Sequence, residues 1–172
     1  PVLTPNLAVS VPSPRIVFMK PNTLRHIFNV WPPFLLSGIH VTELAPDWSF
    51  ARVELRMRPW NRNSVGTHFG GSLFAMTDPF WMILAKERLG RDYYVWDKAA
   101  EIEFVKPGKG TLHAEFRLDP HVLDEIRAET ANGQKYLRWM PADVFNAQNE
   151  VVARVRKQIY VRLKPEARTA TG

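Results

Sequence analysis

The chain has 172 residues, no cysteine and a formal net charge of +6, and 45% of its residues are hydrophobic. That is enough apolar material for one domain with an appended segment or two; disulfides and thiolate metal sites are excluded, and a reducing cytoplasm is the expected compartment. The positive balance favours anionic partners, but Arg52, Arg56, Arg154, Arg156 and Arg162 are scattered along strands, and no zinc-finger, P-loop or dinucleotide motif occurs, so nucleic acid is not expected. No apolar run approaches the roughly 20 residues that span a bilayer, and the opening PVLTPNLAVSVPSPRIVF lacks the basic region of a signal peptide, so no membrane partner is expected either.

Residues 1–14 are proline-rich and read as extended or disordered. The stretch PNTLRHIFNVWPPF places Leu24, Ile27, Phe28 and Trp31 at helical spacing, with Pro21 at the start and Pro32 and Pro33 at the end, which predicts an amphipathic helix over 22–30. Strands follow. GIHVTEL is one; FARVELRMR alternates Ala51, Val53, Leu55 and Met57 against Arg52, Glu54 and Arg56. Next, NRNSVGTHFGGSLFAMTDPFW runs through paired glycines into the most apolar segment of the chain. It predicts a loop and then a helix of about five turns over 70–89, capped by Gly90. Pro79 lies inside it and is expected to kink or break it beside Asp78.

Four strand signals complete the chain: AAEIEFV, TLHAEFRLD, KYLRWMPADVFN and EVVARVRKQIYVRL. A short helix over PHVLDEIRAETANG is inserted among them, and Pro141 implies an edge or a bulge. A helix that is apolar nearly all round must be enclosed. The expected fold is therefore α+β: a hotdog arrangement, with a curved antiparallel sheet of five to six strands wrapped around one long helix and an extra N-terminal helix. The expected boundaries are an extension over 1–37, the hotdog domain over 38–164 and a polar, frayed tail over 165–172.

Asp78 is an acid inside the most hydrophobic segment, and such a group must find partners or be held neutral. The first turn of a helix leaves backbone N–H groups without partners, and Gly70 and Gly71 keep side chains away from them. A carbonyl oxygen gaining charge could rest on those groups, while Asp78 serves as base or nucleophile. Eight residues of continuous helix separate Gly70 from Asp78 by roughly 12 Å, so one carbonyl cannot touch both. If both act on one bond, they must come from antiparallel helices of two chains, which implies a symmetric dimer with two equivalent sites.

Asn63, Gly66, Gly70, Gly71 and Asp78 follow the pattern N-x-x-G-x-x-x-G-G-x-x-x-x-x-x-D, and WDKAAEIEFVKPGKGTL follows later. Over 38–163 the chain resembles the hotdog acyl-CoA thioesterases of the phenylacetyl-CoA and mitochondria-associated type. In particular it is similar to a hotdog family catalogued as a domain of unknown function and grouped with tetrameric thioesterases. The resemblance implies that Asp78 is the catalytic carboxylate. It also implies that Gly70 and Gly71 donate to the thioester oxygen, and that Asn63 orients water or holds the carbonyl. Asp97 falls near the position of a water-positioning Ser or Thr.

Phe69 stands where the motif usually has His; His68, one place earlier, is either an alternative polar group or, the preferred reading, an exposed loop residue. Arg154 and Arg156 are candidates for the phosphates of coenzyme A, although a solvated outer face is the plainer reading. Phe74 and Trp81, with Trp60, Phe80 and Trp96, are candidates for an acyl pocket, and most of these are expected to be core. The expected reaction is hydrolysis of an acyl-CoA by a homodimer, or a dimer of dimers, with no metal or cofactor beyond the coenzyme A of the substrate. The alternatives are a non-catalytic acyl or CoA binder and, less favoured, a dehydratase or hydratase.

Overall fold

The computed structural model describes residues 19–168. The proline-rich opening therefore lies outside the described residues. Helix α1 spans Pro21–Val30 and packs across strand β1, Ile39–Leu44. The Asn29 amide fixes that contact by donating to the Val41 carbonyl and accepting from the Val41 N–H, at 3.0 and 2.7 Å. Pro32 and Pro33 end α1 as expected, but they also begin a second helix, α2, Pro32–Ser37. Proline suits the first helical turn, whose N–H groups have no partner in any case. Gly38 closes α2 at φ 80°, where a Cβ would also strike Arg56 and Asn61, so both conformation and space require glycine.

Strand β2, Phe50–Leu55, pairs with β1 and with β4, Leu112–Arg117. The remaining strands are β3 (Tyr93–Phe104), β5 (Lys135–Pro141), β6 (Val144–Phe145) and β7 (Val151–Leu163). All pairings are antiparallel, in the order β1-β2-β4-β6-β7-β3, with β5 also on β7. β5 and β6 are the one strand expected from the sequence, interrupted after Pro141 as that proline implied. β3 is longer than AAEIEFV because the residues from Tyr93 onward join it. Among the described residues it pairs only with β7, so its other edge is open there, and among its residues only Val95 is buried. The apolar side of this strand, Ala100, Ile102 and Phe104, is therefore not enclosed by the described residues of this chain.

The expected five-turn helix is two helices: α3, Gly70–Ala75, and α4, Phe80–Leu89. Pro79 has no N–H to continue the ladder. The chain tightens before it, with Thr77 N–H on the Phe74 carbonyl and Asp78 N–H on the Ala75 carbonyl. α4 carries the buried centre of the molecule. Phe80 and Trp81 pack on Phe116 at ring separations of 4.8 and 5.4 Å, and Phe34 links α2 to Phe80 at 6.4 Å. Gly90 ends α4 at φ 85°. Helix α5, Pro120–Thr130, is the inserted helix, capped by Asp119, and the segment expected to be frayed opens with a short helix α6, Pro165–Arg168. Among the described residues no helix is long and apolar enough to cross a membrane.

Candidate functional site

The alternation of β7 sends Ala153, Val155, Lys157, Ile159 and Val161 to the inner face, and all five are buried. Lys157, with 2% of its surface exposed, is the one charge in that row. A buried ammonium is costly unless paired, and two carboxylates meet it. Asp78 reaches in from the break between α3 and α4, with its Oδ1 2.6 Å from Lys157 Nζ. Asp97 reaches in from β3, with its Oδ2 at 3.2 Å. A bulge between Asp97 and Ala99 on β3 separates the inward Asp97 from the exposed Lys98 and Ala99. The Phe74 ring lies 5.4 Å from the same ammonium.

The two acids are not equivalent. Asp78 keeps 58% of its side chain exposed, so one carboxylate face remains open to a reactant. Asp97 keeps 25%, and its Oδ1 is buried without a partner. Burial pushes the Asp97 carboxyl above the usual range against the pull of Lys157, and Asp78 adds to the push. The cluster thus offers an open carboxylate fixed by an internal cation, beside a second carboxyl that resists ionisation.

A second feature surrounds the start of α3. A cavity of about 420 Å³ is lined by Asn63, Thr67, His68, Gly70, Leu73 and Phe104, among others, and Asp78 is not on its wall. Gly70 and Gly71 occupy the first turn, where the N–H groups have no intrahelical acceptor. The break leaves α3 only six residues long, so it offers a local pair of amides and little helix dipole. Two exposed rings lie over them, Phe104 against Gly70 and Phe69 against Gly71.

One expectation, for His68, is overturned, and the bonds of Asn63 and Trp81 place those residues. Asn63 was expected to handle water or the carbonyl. Instead its Oδ1 accepts from Val65 and Thr67 N–H, and its amide donates to Thr67 Oγ1 and the His68 carbonyl, which uses its full hydrogen-bonding capacity to shape the loop. His68 is not an exposed loop residue: it is 2% exposed and lies 2.7 Å through Nε2 from the Gly110 carbonyl. Burial lowers its proton affinity, and its Nδ1 has no partner. Trp81 is 4% exposed and donates to the Pro141 carbonyl, so it belongs to the core and not to a pocket wall.

Arg154 and Arg156 lie on the outer face of β7, matched by Glu103 and Glu101 of β3, and Arg156 also sits over Trp139. They are remote in orientation from Lys157. Lys157 itself is the residue the sequence reading missed. Its signal was present: it shares the inward parity of Val155, Ile159 and Val161, where a lysine requires a partner.

The family model described as "Domain of unknown function (DUF4442)" matches residues 22–161. No curated protein matches the chain. Among solved structures, PA5026 of Pseudomonas aeruginosa, described as a "probable thioesterase", is 22% identical with a TM-score of 0.74, over 84% of this chain and 97% of that one. The zebrafish thioesterase superfamily member 2 is 18% identical at 0.60, over 83% and 98%. The Escherichia coli PaaI protein from the phenylacetic acid degradation operon is 17% identical at 0.55, over 83% and 91%. The chain belongs to the DUF4442 family, and its fold is the hotdog fold of thioesterase-superfamily proteins.

Proposed function

We propose that this protein hydrolyses acyl-CoA thioesters at a site completed by two subunits. The observation that carries the reading is Asp78, an open carboxylate anchored at 2.6 Å by a buried lysine within a fold shared with thioesterase-superfamily proteins. Asp78 takes a proton from water, and the resulting hydroxide adds to the thioester carbonyl carbon. Negative charge develops on the carbonyl oxygen, where the Gly70 N–H, seconded by Gly71, donates to it. The tetrahedral intermediate then expels the coenzyme A thiolate, which recovers the proton from Asp78. Direct attack by the carboxylate followed by hydrolysis of the anhydride gives the same products. No step uses a metal or redox group.

The shared site is supported by the cavity at Gly70, whose wall does not include the Asp78 of the same chain, and by the open edge of β3. A 12-residue edge with exposed Phe104 and Trp96 is a template for pairing with a second copy. Two such dimers could pair in turn. Release of thiol from a panel of aliphatic and aryl acyl-CoAs tests the reaction. Inactive Asp78→Asn chains mixed with inactive Gly70-altered chains test the sharing: activity returns after subunit exchange if the two groups belong to one site.

A second reading, a non-catalytic acyl-CoA binder, is favoured by one observation: Phe69 replaces the usual motif histidine, and its ring covers Gly71. Tight acyl-CoA binding with no thiol release from the wild-type protein would select it.

A further inference from the structure

The positive charge of this chain is not spread evenly. Residues 1–42 hold three basic residues and no acid, and residues 55–77 hold three more and no acid; the rest of the chain carries seventeen of each sign. The whole formal excess of +6 therefore sits in two stretches. The fold brings their described parts, within 19–42 and 55–77, together. Trp60 Nε1 donates to the Leu36 carbonyl at 3.0 Å, and Asn61 Nδ2 donates to the Ser37 carbonyl at 2.8 Å, which ties the loop after β2 to the end of α2.

On this joined face the large apolar side chains point outward. Val30 is 69% exposed, Trp60 67%, Leu36 65%, Leu35 55% and Trp31 45%, while Phe28 and Phe34 stack beneath them. Arg58 and Arg62, in the same loop as Trp60, are exposed beside them, and Lys20 is exposed at the other end of α1. His40, behind the face, is held below its ordinary value first by burial and then by Arg56 and, more weakly, Arg25, against an upward pull from Glu54, so charges from both stretches reach one neighbourhood, where Arg56 is paired with Glu54.

We propose that the face built by α1, α2 and the 56–62 loop docks on an anionic lipid bilayer. Contiguous exposed apolar groups of this size mark an interaction surface. An apolar patch with tryptophans, flanked by arginines, matches the layered chemistry of an interface: acyl carbon inside, anionic headgroups at the rim. A second copy fits less well, because a two-fold contact would set acid-free stretch against acid-free stretch. Residues 1–18 carry Arg15 and no acid, so they do not complement it by charge. The face covers β1, at the opposite end of the sheet order from the open β3 edge, so dimerisation through β3 leaves it available. A peripheral contact of this kind needs no spanning segment. The proposal does not depend on thioester hydrolysis.

Co-sedimentation of the full chain with phosphatidylcholine vesicles, with and without phosphatidylglycerol, tests it. Binding is expected only with phosphatidylglycerol, and it should weaken in high salt. Leu35→Ser with Leu36→Ser, and separately Arg58→Glu with Arg62→Glu, should each reduce binding about tenfold or more, with the melting temperature nearly unchanged because these side chains are exposed. Absence of vesicle binding at low salt overturns the proposal. So does binding that neither double variant weakens. Self-association abolished by the leucine substitutions, or capture of a nucleic acid homopolymer without vesicle binding, would assign the face to those partners instead.

Discussion

On β7, Arg154, Arg156 and Lys157 lie within four positions, and each pairs with a carboxylate, yet the two faces of the strand put the pairs in different solvents. Outside, Arg154 and Arg156 are more than half exposed and meet Glu103 and Glu101 across the β3 pairing. Exposed pairs contribute about 0–1 kcal/mol, since water and salt screen them. Inside, Lys157 is sealed by the sheet and by α3 and α4, and its two acids come from different elements. There an ammonium without its partners is costly, so the cluster locks β3, β7 and the helix break into one geometry. Sequence spacing is equal on the two faces; burial decides what each charge does.

The largest expected effect falls on chemistry. Asp78→Asn should lower kcat for thioester hydrolysis about 10³-fold, because the amide cannot accept the proton, with little change in the far-ultraviolet circular dichroism spectrum. An unchanged kcat would remove Asp78 from the mechanism. Next comes Lys157→Ala, expected to destabilise the fold by about 2–4 kcal/mol in urea titrations, from the cavity and the abandoned Asp97. Lys157→Met, which keeps most of the volume, should recover part of that stability but not the activity. If it recovers both, the lysine serves packing alone.

A subtler effect is a pH signature. Burial raises Asp97 above its unfolded value, so the stability linked to its protonated form is present at acid pH and is lost as pH rises through the raised value. Asp97→Asn does not titrate, so its stability relative to wild type should improve as pH increases from about 4 toward neutrality. A difference in urea midpoint that stays constant across that range would contradict the burial argument. The smallest effects belong outside: Arg154→Ala and Arg156→Ala should each change stability by less than about 0.5 kcal/mol and leave KM unchanged. A severalfold rise in KM would return the outer face to a role in holding coenzyme A.

Much of this architecture was legible because it rests on local rules. Period-two alternation marked β2, β4 and β7, proline marked the ends of α1 and the break beside Asp78, and glycine marked the end of α4. The site was legible in part. Asp78 stands out as an acid among apolar residues, but spacing alone does not show that the four hydrogen bonds of Asn63 close within its own loop. His68 was placed in solvent because nothing local foretells the approach of Gly110 from 42 residues away. Lys157 is hard to single out in the sequence because Arg154, Arg156 and Arg162 crowd the other parity of the same strand.

The sequence by itself determined the elements, their order and the acid at the centre of the helical segment, since these follow from side-chain period and backbone permission among neighbours. Only the tertiary structure decided that Asp78, Lys157 and Asp97 form one cluster, that Gly70 opens into a cavity whose wall does not include Asp78, and that the loop carrying Trp60 is tied to the exposed apolar end of α2. Those facts depend on which distant residues exclude water from one another. Charge energies follow that exclusion and not the distance along the chain.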